Sequence, residues 1–510
     1  MTTPRDRIWA AAPWLALAAL IAWSAYHRWA VLTATPHPVG IDGYFYPIQV
    51  RALLERGELA YPASPVTFWL MAIVGWMSEP IIAAKLVAAV GGALVALPAF
   101  LVGRRLGGAL GGLAAAVVAV TSGGSFYLSL EFVKNGLGLT VALTAVWLAL
   151  RALEAPRPGR LLAVGLAAVV AVLTHKMAAV LTVALVAPAV VVELRARLGG
   201  ARAARWLALA MAVAAVAAVI LGALAPARFV ASRDLAAVAD SVDGLARWGL
   251  PALHVPHRGR PDFVLALGEQ ALIAAGLVLA LVALTVAGRW TTRLAAPGRA
   301  ADRAVGLAAA AVVLVTAIPW LAVADPDGLG FRLRVAVFAP AAVVAAAVIG
   351  RGLGALAGRW QLAVIAPALV ARVLAVEPQP REGIVVAHPA MVAAIAALPG
   401  RLPPDAVVIT SERHLGFMVV WYARLPVRLR PEPVPPARRW RLLAGNRIGL
   451  GSPLDRALRA AHDQPGLVSP IGTHPRDPSG LVLVPEATWD WVLTQVPPAT
   501  ARHWRAWSTR

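Results

Sequence analysis

The chain has 510 residues, of which 59% are hydrophobic and only 14% charged, with a mean hydropathy of +0.71; a soluble domain carries roughly 25% charge, so a soluble globular protein is excluded and most of the chain belongs in lipid. It has no cysteine, which excludes disulfides and thiolate metal sites. The net charge of +21 invites a nucleic-acid reading, but the excess sits in short loops between apolar segments and in the C-terminal tail, where it orients a membrane protein, so no nucleic-acid partner is expected.

The first apolar run, 8–30, is longer than the core of a signal peptide and no A-x-A cleavage site follows it, so it reads as a retained helix. The next stretch, "GIDGYFYPIQVRALLERGELAYP", sets Asp42 among Tyr44, Phe45 and Tyr46 where the chain leaves that run. Residues 66–78, "VTFWLMAIVGWMS", are too short to span and carry two Trp, which predicts an interfacial or re-entrant helix. Further spans are predicted at 81–102, 107–127, 136–152, 160–174, 177–193, 205–225, 263–287, 304–323, 333–350 and 360–375, about eleven in all at about 20 apolar residues each. Residues 376–510 differ: ten acids, 16 Arg, much Pro and no spanning run. "DAVVIT" (405–410) and "GLVLVP" (480–485) read as buried strands, while "HPAMVAAIAAL", "PLDRALRAAH" and "ATWDWVLTQV" read as helices. The predicted fold is therefore mostly α, a polytopic helical bundle over 1–375 followed by an α/β domain over 376–510.

Loop charge orients this arrangement. With the N-terminus inside, the inside segments carry 17 Arg against four acids, Asp6, Glu154, Glu193 and Asp302. The outside segments carry 11 basic residues against 11 acids. That asymmetry follows the positive-inside rule and puts the C-terminal domain on the extracytoplasmic side of the cytoplasmic membrane.

Ionisable residues near membrane depth are costly, so each is a functional candidate. On the outer side these are Asp42, Glu131, Lys134, His175, Lys176, Glu269, Arg332 and Arg334; the inner side holds almost only loop Arg. The three lysines, Lys85, Lys134 and Lys176, all fall near outer helix ends in a chain that otherwise uses Arg, which suits a compact charge on an anion as well as plain snorkelling. Asp42 lies in turn chemistry, "GIDG", and also where a general base beside an apolar wall would stand. Glu131 and Lys134, three apart in "SLEFVKNGLGLT", are expected on one helix face, as an ion pair or facing a polar cavity. His175 and Lys176 occupy a tight connection between two spans. Arg332 and Arg334 are two apart, so at most one of them faces a phosphate while the other pairs with Asp325 or Asp327. Tyr44 and Tyr46 fit a sugar-stacking wall or an interfacial aromatic belt.

This layout resembles the GT-C superfamily, which includes protein O-mannosyltransferases, lipid A aminoarabinose transferases and oligosaccharyltransferase catalytic subunits. The resemblance rests on the first-loop segment "GIDGYFYPIQVRALLERGELAYPASPVTFWL", on "SLEFVKNGLGL", and on "ERHLGFMVVWYARLPVRLRP" in the C-terminal domain. It implies a polyprenyl-phosphate sugar donor held in the membrane lipid, with Asp42 at the catalytic acidic position and Glu131 as the second acid. It implies phosphate contacts from Lys134, Lys176, Arg332 or Arg334, with Tyr44, Tyr46 and His175 also lining the substrate site. The second motif of oligosaccharyltransferases has two acids separated by one residue; Val133 stands at the second place here, so the sequence does not require a divalent metal. Attack opposite the phosphate would invert the anomeric carbon. A transporter or flippase for a lipid-linked glycan and a non-catalytic scaffold are the competing readings. Transporters show repeated halves and mid-membrane breaks, and neither is evident here. The sugar and the acceptor are not readable from the sequence.

Overall fold

The computed structural model describes residues 4–40, 42–209, 261–286, 299–317, 335–352, 358–376, 388–428, 434–468, 470–471 and 480–507. The expected span at 205–225 is described only as far as residue 209, and Arg332 and Arg334 lie outside the described residues. Contacts divide the chain into two compact units: Met1–Ala34, Tyr61–Met77 and Ile82–Gly383 form the first, and Thr35–Ala60, Ser78–Ile81 and Ile384–Arg510 the second. The first loop, with Asp42, thus packs with the C-terminal residues, a pairing that chain order does not show.

The first unit is helical: α1 (Pro4–Leu32), α3 (Val66–Gly75), α4 (Pro80–Leu94), α5 (Ala96–Thr121), α6 (Gly123–Leu130), α7 (Val133–Glu154), α8 (Pro158–Thr174), α9 (Lys176–Leu198), α10 (Pro261–Val286), α11 (Arg299–Ala317), α12 (Phe338–Gly352) and α13 (Gly358–Leu374). Among the described residues four helical stretches are long and apolar enough to cross a membrane: Ala10–Leu32, Pro80–Thr121, Val133–Glu154 and Lys176–Leu198. The 22 residues of α7 measure about 33 Å at 1.5 Å per residue, against a hydrocarbon thickness of about 30 Å. α5 is two helices joined at Gly107 and Gly108. Gly108 takes φ +71°, open to glycine at no steric cost, and the halves fold back so closely that a Cβ on Gly103 would meet Ala115 Cβ at 2.8 Å. α3 is short, as its length predicts; it buries Thr67, Phe68 and Met71 and exposes Trp69, Ile73 and Trp76.

α12 is buried from Phe338 to Ala347, as a helix segment apolar on every side should be. Charges gather at one end of this unit. Arg105 Nε donates to Asp302 Oδ1 at 2.6 Å and Nη1 to Glu154 Oε2 at 2.8 Å, while Arg197 binds Glu193 and the Leu153 carbonyl. These residues come from four of the six segments that loop charge assigns to a single side. Deeper in, Arg28 of α1 is 1% exposed. Its Nε donates to Ser129 Oγ at 3.0 Å, its Nη2 to Ser125 Oγ at 2.9 Å and the Val120 carbonyl at 3.3 Å, and its Nη1 to Ser24. All these partners are neutral. The guanidinium thereby ties α1 to α6 through Ser125 and Ser129 and to the end of α5 through Val120.

The second unit contains a four-stranded sheet in the order β2-β1-β3-β4, with β1 Val407–Ile409, β2 Val427–Arg428, β3 Arg439–Ala444 and β4 Leu481–Pro485. β1 is parallel to both β2 and β3, and β4 runs antiparallel to β3. Around it lie α2 (Phe45–Arg56), α14 (Pro389–Ala396), α15 (Arg413–Met418), α16 (Pro453–Ala460), α17 (Glu486–Thr494) and α18 (Pro498–Trp507). Leu443, Val482, Val484, Leu454, Trp489 and Trp504 form its core. β3 carries a cation into that core: Arg441 is 7% exposed and binds Glu486 through Nε and Nη2, both at 2.7 Å.

Candidate functional site

In the second unit, Asp42 sits in a turn that leads directly into α2. Gly43 N–H donates to the Gly40 carbonyl at 3.2 Å and Phe45 N–H to the Asp42 carbonyl at 3.0 Å. A Cβ on Gly43 would meet the Val39 carbonyl oxygen at 2.5 Å, so the turn needs glycine there. Asp42 is half-buried, and Tyr44 and Tyr46 are buried at 2% and 4% exposure. Tyr46 lies edge-on to Phe45, ring centroids 5.7 Å apart. Tyr44 turns its hydroxyl to that of Tyr422, 2.8 Å away, and His37 Nδ1 lies 2.9 Å from the same Tyr422 hydroxyl. Burial first, then the Tyr422 hydroxyl, raises the Tyr44 phenol far above its ordinary range, so it stays a neutral donor or acceptor.

In the first unit, Glu131, Lys134, His175 and Lys176 lie at the end of the bundle opposite the Arg105 cluster. Glu131 caps α6 and is 1% exposed. The helix does not continue to Lys134: Phe132 takes φ −130° and ψ 59°, and α7 begins at Val133. Glu131 and Lys134 therefore occupy two helices, which corrects the expectation of one shared helix face. Lys134 Nζ lies 5.6 Å from the centre of the Phe68 ring of α3, a cation–π contact. His175, extended at φ −167°, separates α8 from α9 and caps α9 by accepting the Met177 N–H on Nδ1 at 3.1 Å. It packs on α7 at Gly138, one turn past Lys134, where a Cβ would stand 3.3 Å from His175 Cβ. Lys176 is the first residue of α9.

Directly below Lys176 an apolar groove of about 290 Å³ runs between α7, α9, α11 and α12. Met177, Val180, Leu181 and Ala184 line it from α9, at the spacing of one helix face, with Leu139, Val312 and Val337 opposite. Thr316 contributes a hydroxyl that is spent on the Val312 carbonyl at 2.7 Å, so the wall is greasy. Among the described residues no three His, Asp or Glu are arranged to hold a metal ion.

Residues 62–221 match the family model of dolichyl-phosphate-mannose-protein mannosyltransferases. The crystal structure of ArnT from Cupriavidus metallidurans bound to undecaprenyl phosphate has a TM-score of 0.52 and 15% identity, covering 92% of this chain and 97% of that one. The likeness to ArnT is one of fold, and the matched family model covers less than a third of the chain. ArnT from the same organism in the apo state has a TM-score of 0.41 and 18% identity, covering 96% of this chain and all 100% of that one. A comparison with curated proteins finds no match for this chain.

Three residues of the loop site escape sequence reasoning: Tyr422, His37 and Arg51. The available signal was the pair Trp421–Tyr422 at the end of the apolar stretch 415–423, between His414 and Arg424. Large aromatics there deserve suspicion as anchors.

Proposed function

We propose that this chain moves a sugar from a polyprenyl-phosphate donor to an acceptor at the extracytoplasmic face of the cytoplasmic membrane. The observation that carries the reading is the groove: a wholly greasy channel of about 290 Å³ whose α9 wall starts one residue after Lys176. An isoprenoid tail suits such a channel, because each buried CH₂ contributes about 0.8 kcal/mol. The phosphate at its head would meet Lys176 and Lys134. Arg332 or Arg334 is proposed as a further phosphate contact, and His175 as the residue that holds the α8–α9 connection in place.

Asp42 acts as base. It takes the proton from an acceptor hydroxyl or amine as that atom bonds to the anomeric carbon. The bond from that carbon to the phosphate oxygen breaks, and the electron pair leaves on the polyprenyl phosphate, where fixed cations stabilise the growing charge. Attack from the face opposite the phosphate inverts the carbon. Glu131 is proposed as a second acidic group of the reaction. Tyr44 and Tyr46 are proposed to present the acceptor side with a partly dry wall.

The test uses the full chain in lipid nanodiscs, a panel of radiolabelled polyprenyl-phosphate sugars, and envelope membranes from cells lacking this chain as acceptor. Asp42→Asn leaves the two backbone hydrogen bonds of the turn available and is expected to lower transfer by about 10²–10⁴-fold. Full transfer by correctly inserted Asp42→Asn protein eliminates Asp42 as the base.

A further inference from the structure

We propose that Tyr422 is a positioning residue for the transfer step: its hydroxyl joins His37 to Tyr44 and so fixes the turn that carries Asp42. The proposal deepens the reading of Asp42 as base and rests on it. His37 and Tyr44 stand five residues before and two residues after Asp42. A single phenol oxygen reaches both, at 2.9 Å from His37 Nδ1 and 2.8 Å from Tyr44 Oη. The rings add to the grip. Tyr422 lies edge-on to Tyr44, with centroids 5.5 Å apart at 66°, and edge-on to His37 at 6.3 Å and 80°.

Tyr422 belongs to a π-helical turn, Val419–Ala423, that continues α15. Such turns are rare and recur at functional sites. The last carbonyls of a helix have no intrahelical donor, and here α2 supplies one. Arg51 Nη1 donates to the Trp421 carbonyl at 3.0 Å and Nη2 to the Val420 carbonyl at 2.9 Å, with its guanidinium stacked 4.5 Å above the Trp421 ring. The turn ends at Arg424 in the left-handed region, φ 55° and ψ 21°. That conformation is costly for a residue with a Cβ, and Arg424 sits 3.6 Å from Glu55 of α2. Phe45 packs on Phe417, centroids 5.5 Å apart. Five contacts along one short segment therefore converge on the loop and helix that follow α1. A segment that merely closed the sheet would not need a strained turn aimed at residues 37–55. The C-terminal residues belong to the working parts of the enzyme, and Tyr422 is where they touch the Asp42 turn.

Tyr422→Phe keeps the ring and deletes both hydrogen bonds; Tyr44→Phe deletes one of them from the other side. Both are studied in the full chain in nanodiscs. In hydrogen–deuterium exchange, the amides of Gly43 and Phe45 are expected to exchange about tenfold faster in each variant, with no change over 133–154. In the transfer assay above, kcat is expected to fall about tenfold at unchanged donor KM, and Asp42→Asn/Tyr422→Phe to transfer no more slowly than Asp42→Asn alone. Unchanged exchange at Gly43 and Phe45 in both variants overturns the proposal. So does a further tenfold loss when Tyr422→Phe is added to Asp42→Asn. Full activity in Asp42→Asn alone removes the base reading, and the catalytic role of Tyr422 falls with it, whereas the exchange result separately decides whether Tyr422 holds the turn.

Discussion

Replacing Arg441 by Met removes one half of a buried ion pair. The Arg441 side chain is 9% exposed and that of Glu486 8%. Both hydrogen bonds between them measure 2.7 Å. After the change, the Glu486 carboxylate keeps Arg439, at 3.4 Å. Breaking a buried pair from one side costs about 3–5 kcal/mol, and the remaining Arg439 places the cost at the low end, about 3 kcal/mol. In a unit of this size 1 kcal/mol shifts Tm by about 2–4 °C, so a loss of about 6–12 °C is expected. Tryptophan fluorescence of the full chain in micelles reads it, because Trp489 lies 5.9 Å from the Arg441 guanidinium and 6.2 Å from Trp504. The double variant Arg441→Met/Glu486→Leu leaves no uncompensated charge and is expected to recover most of the loss. A single variant within about 2 °C of the parent, or a double variant as unstable as the single, refutes the reasoning.

Burial, then the Arg447 charge, holds His414 down to about 4, against about 6.5 in an unfolded chain. Between those values the fold binds fewer protons than the unfolded chain, so this stability is present above about pH 6.5 and lost as pH falls toward 4. Burial raises Glu412, 3.6 Å away, which has the opposite sign and offsets part of the loss on the acid side. A thermal-unfolding series from pH 7 to 4.5 should fall less steeply in His414→Gln than in the parent, and identical slopes contradict the assignment. Arg28→Lys cannot reach Ser24, Ser125, Ser129 and the Val120 carbonyl together; it should cost about 2–3 kcal/mol, seen as a lower Tm in micelles, and an unchanged Tm would show the network to be idle. Ala184→Phe narrows the groove and is expected to raise KM for a long-tailed polyprenyl-phosphate sugar at least fivefold more than for a short-chain analogue; equal effects on both would argue against a tail in that groove.

What could be read in advance follows a physical rule. Long apolar helices announce themselves because lipid demands about 20 matched residues, and the strands at 407–409 and 481–485 fall inside the two apolar runs that turn residues frame. β3 stayed hidden because Arg439 and Arg441 read as solvent residues, while Glu486, 45 positions beyond Arg441, neutralises the buried one. The break at Phe132 is likewise silent: no Gly or Pro marks it, and only tertiary packing sets φ −130° there. Arg28 lies within a run that simply looks spanning. The candidate residues are the ones whose ionisable groups near lipid are costly enough to stand out, and their roles rest on the proposed function. The grip on their loop does not stand out, because Tyr44 and Tyr422 are 378 positions apart and periodicity carries no information over such a separation.

Arg28 also sets an order of events during synthesis. Its guanidinium depends on Val120, Ser125 and Ser129, which leave the ribosome about a hundred residues later. At about 5–20 residues per second, the first helix waits roughly 5–20 seconds with a cation it cannot yet bury. Arg28 lies near the end of α1, so in that interval the side chain can reach the headgroups. Until α6 arrives, that guanidinium lacks the Ser125 and Ser129 hydroxyls that hold it in the finished fold.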